Sequence, residues 1–442
     1  MPVSVLSVPF FTSHKQLSIH LAEPVVILRG FPQDPVTQVL HGEVELLLTK
    51  PINAYSVKVK LVGKQHMLWP EGFGARGTKL YNEKTIYSQT IVLQTWPEDQ
   101  KEPLSPGLHR WPFEFMLPKD TVETIEDELA KVFYYISTTV HRAGKSVPKL
   151  RSRRNILILR TPNWSDQALA DTSLPTASIT SERHMKMFDS IICIEKSVVS
   201  SGTRFPIALT IAPTVKNLFL ESINVMLIER RSYRLPEFNA RRGEVHDFKL
   251  PMATVTNLTD PSLTDIVPAS DVSLQHLRKV LCTKNAHIPL EANPFQYRFV
   301  FNLPNCVSLN HTTTYHEIEF RHYLRIHIEL SVGLPPGGDQ KAPREHIHFE
   351  TPITILDCRL KEDYAALPTY VEALSDPTVN DDDLHESASG FFICPCYLEY
   401  KKKRQSNGKR EWMLVRQNSN ENTPPPPSYE SVASKPAAIS TA

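Results

Sequence analysis

Pro426, Pro427 and Tyr429 stand at the spacing P-P-x-Y, inside the segment TPPPPSYES at 423–431. A proline run is pre-set in the polyproline II conformation, so docking it costs little further backbone entropy. The aromatic-lined groove of a WW domain takes such a segment, and a tyrosine three places after the first proline fills a second pocket. Leu367, Pro368 and Tyr370 repeat the pattern with leucine for the first proline. The two motifs are about 60 residues apart, and a flexible chain of that length reaches roughly 42 Å, enough to engage two WW domains of one partner. Both are read as WW-domain ligands. The plainer alternatives are a solvated proline-rich segment and, for the leucine variant, a turn after the last strand.

Other clusters carry less. Lys401, Lys402, Lys403 and Arg404 form a basic run that suits an anionic lipid surface, a nuclear signal or simply a solvated charge run. Cys394 and Cys396 flank a proline next to Phe391, Phe392, Ile393 and Tyr397. Zinc would need two further ligands nearby, and in sequence only His385 is close. His346 and His348 share a strand face, but no third ligand has helpful spacing. Gly72, Gly77, Thr78 and Lys79 resemble a phosphate loop in which the lysine follows the threonine, the wrong order for that chemistry. No nucleophile elbow, zinc-protease motif or dinucleotide fingerprint occurs. The reading is therefore of no catalytic residues, no cofactor and no metal.

Composition narrows the class. Lys and Arg number 49 and Asp and Glu 48, a net charge of +1, so no global field recruits nucleic acid. The 36 prolines against 15 glycines exclude collagen and glycine-rich linkers, and an apolar share of 41% can build substantial cores. Six cysteines, four of them isolated, fit reduced thiols in the cytosol rather than a disulfide scaffold. The apolar start MPVSVLSVPFF is broken by Pro2 and Pro9 and lacks a basic region before it, so it is not read as a signal peptide.

The dominant periodicity is two. Val57, Val59 and Leu61 alternate with Lys58 and Lys60; Leu324, Ile326, Ile328 and Leu330 alternate with Arg325, His327 and Glu329. Alternation sends side chains to opposite faces of a sheet. Helical patterning is confined to Val272–Leu281 and, for a turn or two, Thr121–Leu129. The expected fold is all-β: two tandem antiparallel β-sandwiches at 14–161 and 184–360, a linker at 162–183, and a mostly disordered tail at 361–442.

With these features in place, the chain resembles the α-arrestins, the arrestin-related trafficking adaptors. LHGEVELLLTKPINAYSVKVKLVGKQHMLW (Leu40–Trp69), PGLHRWPFEFMLP (Pro106–Pro118) and FYYISTTVHR (Phe133–Arg142) are similar to the family's first domain. SINVMLIERRSY (Ser222–Tyr233), FVFNLP (Phe299–Pro304) and IEFRHYLRIHIEL (Ile318–Leu330) are similar to its second. ITILDCRLKEDYAALPTYVEAL (Ile353–Leu374) resembles the end of that domain and its tail tyrosine motif, and FFICPCYLEYKKKR (Phe391–Arg404) resembles tails of some fungal members. The resemblance implies two arrestin-like sandwiches and a non-enzymatic adaptor. Such an adaptor recognises membrane transporters or receptors as cargo. It recruits a WW-domain HECT-type ubiquitin ligase through Pro426, Pro427, Tyr429, Leu367, Pro368 and Tyr370, and the cargo receives ubiquitin and is taken up by endocytosis. It implies a cytoplasmic protein recruited to plasma membrane and endosomes, with peripheral membrane contact. The rival reading is an arrestin-like endosomal sorting or signalling scaffold that does not act through a ligase. The motifs assign no residues to the phosphate-sensing polar core of other arrestins.

Overall fold

The computed structural model describes residues 15–360, apart from 23–24, 31–37, 73–78, 97–102, 119, 144–146, 162–177, 258–284, 291–294 and 334–342; Leu277 and Cys396 are described as well. Nine strands come first: β1 (Lys15–Leu21), β2 (Val25–Arg29), β3 (Gln38–Leu48), β4 (Ala54–Trp69), β5 (Leu80–Thr95), β6 (Gly107–Leu117), β7 (Ile125–Glu126), β8 (Ala130–Arg142) and β9 (Leu150–Thr161). They form a sheet in the order β1-β3-β6 and a second in the order β2-β9-β8-β4-β5, with β7 paired to β8. All pairings are antiparallel except β2 with β9.

Twelve strands follow: β10 (Ile179–His184), β11 (Phe188–Ile194), β12 (Val198–Ser200), β13 (Arg204–Pro213), β14 (Leu218–Leu235), β15 (Ala240–Lys249), β16 (Met252–Asn257), β17 (Ile288–Leu290), β18 (Phe295–Asn302), β19 (Thr313–Thr314), β20 (Ile318–Val332) and β21 (Arg344–Leu356). One sheet runs β10-β11-β13-β18-β16. The other runs β12-β21-β20-β14-β15, with β17 on β14 and β19 on β20.

The period-two reading holds at the residue level. Val57, Val59 and Leu61 are fully buried in the first core, and Leu324, Ile326 and Ile328 are buried in the second. On β18 the alternation is aromatic: Phe295, Tyr297, Phe299 and Phe301 all point inward, with successive ring centroids 4.5, 6.2 and 6.4 Å apart. Close packing also explains a glycine within a strand. A methyl group at Gly63 of β4 would run into the Tyr134 ring, whose hydroxyl is tied to the Val122 carbonyl at 2.8 Å.

Two expectations of helix fare differently. Thr121–Leu129 is not helical: Thr124 N donates to Ile158 O at 2.7 Å, and Ile158 N donates to Thr124 Oγ1 at 3.0 Å. The neighbouring strand thus holds the segment extended, and Ile125 is buried as part of β7. Val272–Leu281 lies outside the described residues except for Leu277, which is helical and packed in the second core.

The strands β14 and β20 overrun their own sandwich. Leu218, Leu220, Ile223, Val225 and Leu227 of β14 lie in the second core, but Tyr233 and Leu235 lie in the first. On β20, Leu324, Ile326, Ile328 and Leu330 lie in the second core, while Ile318 and Phe320 lie in the first. Tyr233 and Phe320 meet edge to face at 5.9 Å, within the favourable range for aromatic pairs. Phe320→Ala should therefore cost about 3–5 kcal/mol. Urea denaturation should show the loss, with the unfolding of the two sandwiches separating into two steps.

Candidate functional site at the junction of the sandwiches

Beside that aromatic pair the same strands carry buried charge. Continuing the inward face of β14 beyond Leu227 gives Glu229, Arg231 and Tyr233, and continuing that of β20 back from Leu324 gives His322. Arg231 donates through Nε at 2.9 Å and Nη2 at 2.7 Å to Glu229 Oε2, and through Nη1 at 3.1 Å to Asp127 Oδ1. Asp127 belongs to the turn between β7 and β8, in the first sandwich. Its remaining capacity is filled by Asn310 Nδ2 at 3.0 Å, Tyr233 Oη at 2.8 Å and Leu129 N at 3.0 Å. Asn310 N donates to Glu229 Oε1 at 2.9 Å.

Two further knots flank the first. Arg359 donates to both oxygens of Asp357 at 2.8 Å and reaches Glu126 Oε2 of β7 at 3.4 Å. Glu317 is buried and accepts from Gln65 Nε2 and Lys84 Nζ, each at 2.6 Å, while Tyr315 donates to Gln65 Oε1 at 2.8 Å. In every knot a group from the first sandwich faces one from the second.

The protonation states follow from these contacts. Burial alone would raise the Glu229 carboxyl, but bonds to His322 and Arg231 overturn that and leave it below the usual range. Of these two, Arg231 is much the closer; His322 Nε2 stands 3.5 Å from Glu229 Oε1. Burial pushes the Tyr233 hydroxyl up, and the Asp127 charge adds to it, so tyrosine remains a donor. Burial lowers His322, against a weaker pull from Glu229, and the ring is neutral with Nδ1 engaged by Thr312 Oγ1 at 2.9 Å. The central knot thus holds two carboxylates and one guanidinium. The surplus negative charge is met by neutral donors from Asn310, Tyr233 and Leu129. Such carboxylates are engaged in pairing and are poorly placed to move protons for a substrate; the arrangement instead fixes how one sandwich sits on the other.

Pro426, Pro427, Tyr429, Leu367, Pro368, Tyr370, Lys401, Lys402, Lys403 and Arg404 lie outside the described residues. His346 and His348 do share the outward face of β21, and His346 stacks on His327 with centroids 5.4 Å apart. The sequence reading assigns no site role to Asp127, Glu229, Arg231, Asn310, His322 or Arg359. A signal was present: Glu229, Arg231 and His322 occupy inward positions of strands otherwise apolar on that face.

Comparison with known proteins fits this architecture. Residues 31–163 match the arrestin (S-antigen) N-terminal domain. A Schizosaccharomyces pombe protein named as an arrestin-related trafficking adapter is 24% identical over 393 residues, covering 80% of this chain and 56% of the relative. A second S. pombe protein with the same kind of name is 22% identical over 403 residues, covering 83% and 74%. Aspergillus clavatus creD, named as a HECT-type ubiquitin ligase-interacting protein, is 24% identical over 330 residues, covering 73% and 50%. The chain thus spans between half and three quarters of the length of these relatives. The fold is arrestin-like, two tandem sandwiches of mainly antiparallel strands, and the Asp127–Arg231 pair joins one to the other. Among the described residues no helix is long and apolar enough to cross a membrane.

Arg231→Ala should be severe. It leaves Asp127 and Glu229 buried without their cation, a loss of about 3–5 kcal/mol readable by urea denaturation. Acid should act through His322. Its folded pKa lies below the ordinary 6.5, so the unfolded chain binds the proton more readily. The stability tied to the neutral ring is complete above about pH 6.5 and falls as pH drops from there through the folded value. Unfolding curves at about pH 7.5 and 5.5 should differ more for the native chain than for His322→Gln.

Proposed function

We propose that this protein is a non-enzymatic adaptor of the α-arrestin kind. In this reading, sandwiches at 14–161 and 184–360, joined through 162–183, recognise membrane transporters or receptors. The tail at 361–442 recruits a WW-domain HECT-type ubiquitin ligase through Leu367-Pro368-Thr369-Tyr370 and Pro426-Pro427-Ser428-Tyr429. Cargo held by the sandwiches receives ubiquitin from the tethered ligase and enters endocytosis. The protein works on the cytoplasmic side of plasma membrane and endosomes, and Lys401 to Arg404 supply peripheral attraction to anionic lipid.

The observation that carries this reading is the arrestin N-terminal match in a chain that also holds P-P-x-Y, together with relatives named for trafficking and for HECT-ligase interaction. The junction supports the division of labour. A frame whose halves are locked by buried charge presents one fixed surface to a cargo, whereas a short proline-rich ligand needs only accessibility and a preset backbone.

A peptide covering Thr423–Ser431 should bind a ligase WW domain in the micromolar range, about −8 kcal/mol. Tyr429→Ala and Pro426→Ala should each weaken it by about 1–3 kcal/mol, the scale of an interface anchor. In the full chain, Tyr429→Ala should lower ligase capture strongly, and the double change with Tyr370→Ala should abolish it. Cargo ubiquitylation should fall in parallel while cargo binding persists. Unchanged ligase capture and cargo ubiquitylation by the double variant would sink the reading and favour a scaffold that works without a ligase.

A further inference from the structure

Three cysteines that are far apart in sequence meet at one end of the second sandwich. Cys306 lies in the turn after β18, Cys358 in the turn after β21, and Cys396 well beyond the last strand. Their Sγ atoms all lie within 4.8 Å of one another. Cys358 and Cys396 are buried, Cys306 is partly buried, and no disulfide joins them. We propose that Cys306, Cys358 and Cys396 form a thiolate site for one zinc ion, which fastens the chain around Cys396 to the end of the second sandwich.

The geometry points to metal more than to a redox pair. Zinc–sulfur bonds of about 2.3 Å in a tetrahedron place neighbouring sulfurs about 3.8 Å apart. With all three sulfurs within 4.8 Å of one another, the cluster needs to close by no more than about 1 Å to meet that. A disulfide would join two thiols and leave the third unused beside them, whereas a soft divalent ion uses all three. Thiolate ligands select zinc or a comparably soft ion over magnesium or calcium. The fourth position of the tetrahedron is left for water or a further ligand.

The surroundings hold the three sulfurs in place. Gly202 has a φ of +73°, and a Cβ there would sit 3.6 Å from the Cys396 sulfur. The turn between β12 and β13 therefore packs directly on the cluster. That turn is bonded to the segment before Cys306 by Gly202 N to Pro304 O at 2.8 Å and Leu303 N to Thr203 O at 3.0 Å. It is bonded to the segment around Cys358 by Ser201 N to Leu356 O at 3.1 Å and by Ser200 Oγ to Leu360 O at 2.5 Å. Two of the three ligand-bearing segments are thus clamped to one turn. Arg359, adjacent in sequence, interacts electrostatically with Cys358. Binding is a plain exchange: the ion takes three sulfur lone pairs, and each thiol that was protonated releases its proton to solvent.

A consequence concerns the tail. Zinc would close a loop from Cys358 to Cys396 that contains Leu367, Pro368 and Tyr370, and would leave Pro426, Pro427 and Tyr429 beyond it. The zinc site stands independently of the ligase reading, since it is argued from the sulfurs alone.

The test uses the full-length protein purified without chelator. Elemental analysis should find one zinc per chain. Cys306→Ser, Cys358→Ser and Cys396→Ser should each reduce it to background, while Cys193→Ser, on β11, should retain it. Cobalt(II) exchanged into the unmutated protein should show a thiolate-to-cobalt charge-transfer band and tetrahedral d–d absorption, a readout that does not depend on variants folding. Chelator should speed proteolysis between Cys358 and Cys396 in the unmutated chain and leave the rate unchanged in Cys396→Ser. No stoichiometric zinc even after reconstitution, zinc retained by all three variants, or a disulfide between two of the three thiols in peptide maps from cells lysed under thiol-blocking conditions would each overturn the proposal.

Discussion

A β-strand that continues past the end of its own sheet still sends alternate side chains to alternate faces, and those that were pointing inward must find new cover. β14 and β20 meet this constraint together. They remain paired from Leu218↔Val332 to Tyr233↔Ile318, and their far ends enter the first sandwich. Tyr233, Leu235, Ile318 and Phe320 complete a core that the first nine strands only partly fill. The two sandwiches therefore share apolar burial, and removing either partner exposes surface that belongs to the other. At about 1.5–3 kcal/mol for each large apolar side chain buried, four such residues make separation of the halves expensive.

Apolar burial alone would not fix the angle between the halves, because hydrophobic contact has little directionality. The charged knots supply the direction. Asp127 must face Arg231, Glu126 must face Arg359, and Glu317 must face Gln65 and Lys84, with distances of 2.6–3.4 Å in each case. Buried ion pairs contribute little net stability over well-packed apolar side chains, but a misaligned one leaves charge stranded in low dielectric. Alternative packings are penalised far more than the observed packing is favoured. The junction thus trades stability for a single arrangement.

That arrangement suits the proposed adaptor role, in which the partners are other macromolecules. A recognition surface spread over two sandwiches keeps its shape only if the sandwiches keep theirs. The proposed recruitment motifs need no such frame, since each is a few residues long and carries its conformational preference in its own prolines. The cysteine cluster sits where these two parts of the chain meet, at the last turn of the second sandwich.

The sequence by itself determined the class of fold and the inward faces of its strands. The alternation of Val57, Val59 and Leu61, or of Leu324, Ile326 and Ile328, is a local property: which face a side chain takes depends on its own strand, whatever that strand later pairs with. The proposed recruitment motifs are local in the same way, since P-P-x-Y carries its chemistry in four consecutive residues. What tertiary structure decided is everything that depends on partners distant in the chain. Thr121–Leu129 reads as a helical turn until the edge of β9 captures it. Glu229 and His322 look like interruptions of an apolar face until the overhang carries them to the junction. Asp127 and Arg231 are 104 residues apart, and nothing in the spacing of either predicts the other. In the sequence Cys306 and Cys358 are isolated thiols and Cys396 is half of a Cys-Pro-Cys pair; only folding brings their three sulfurs within 4.8 Å.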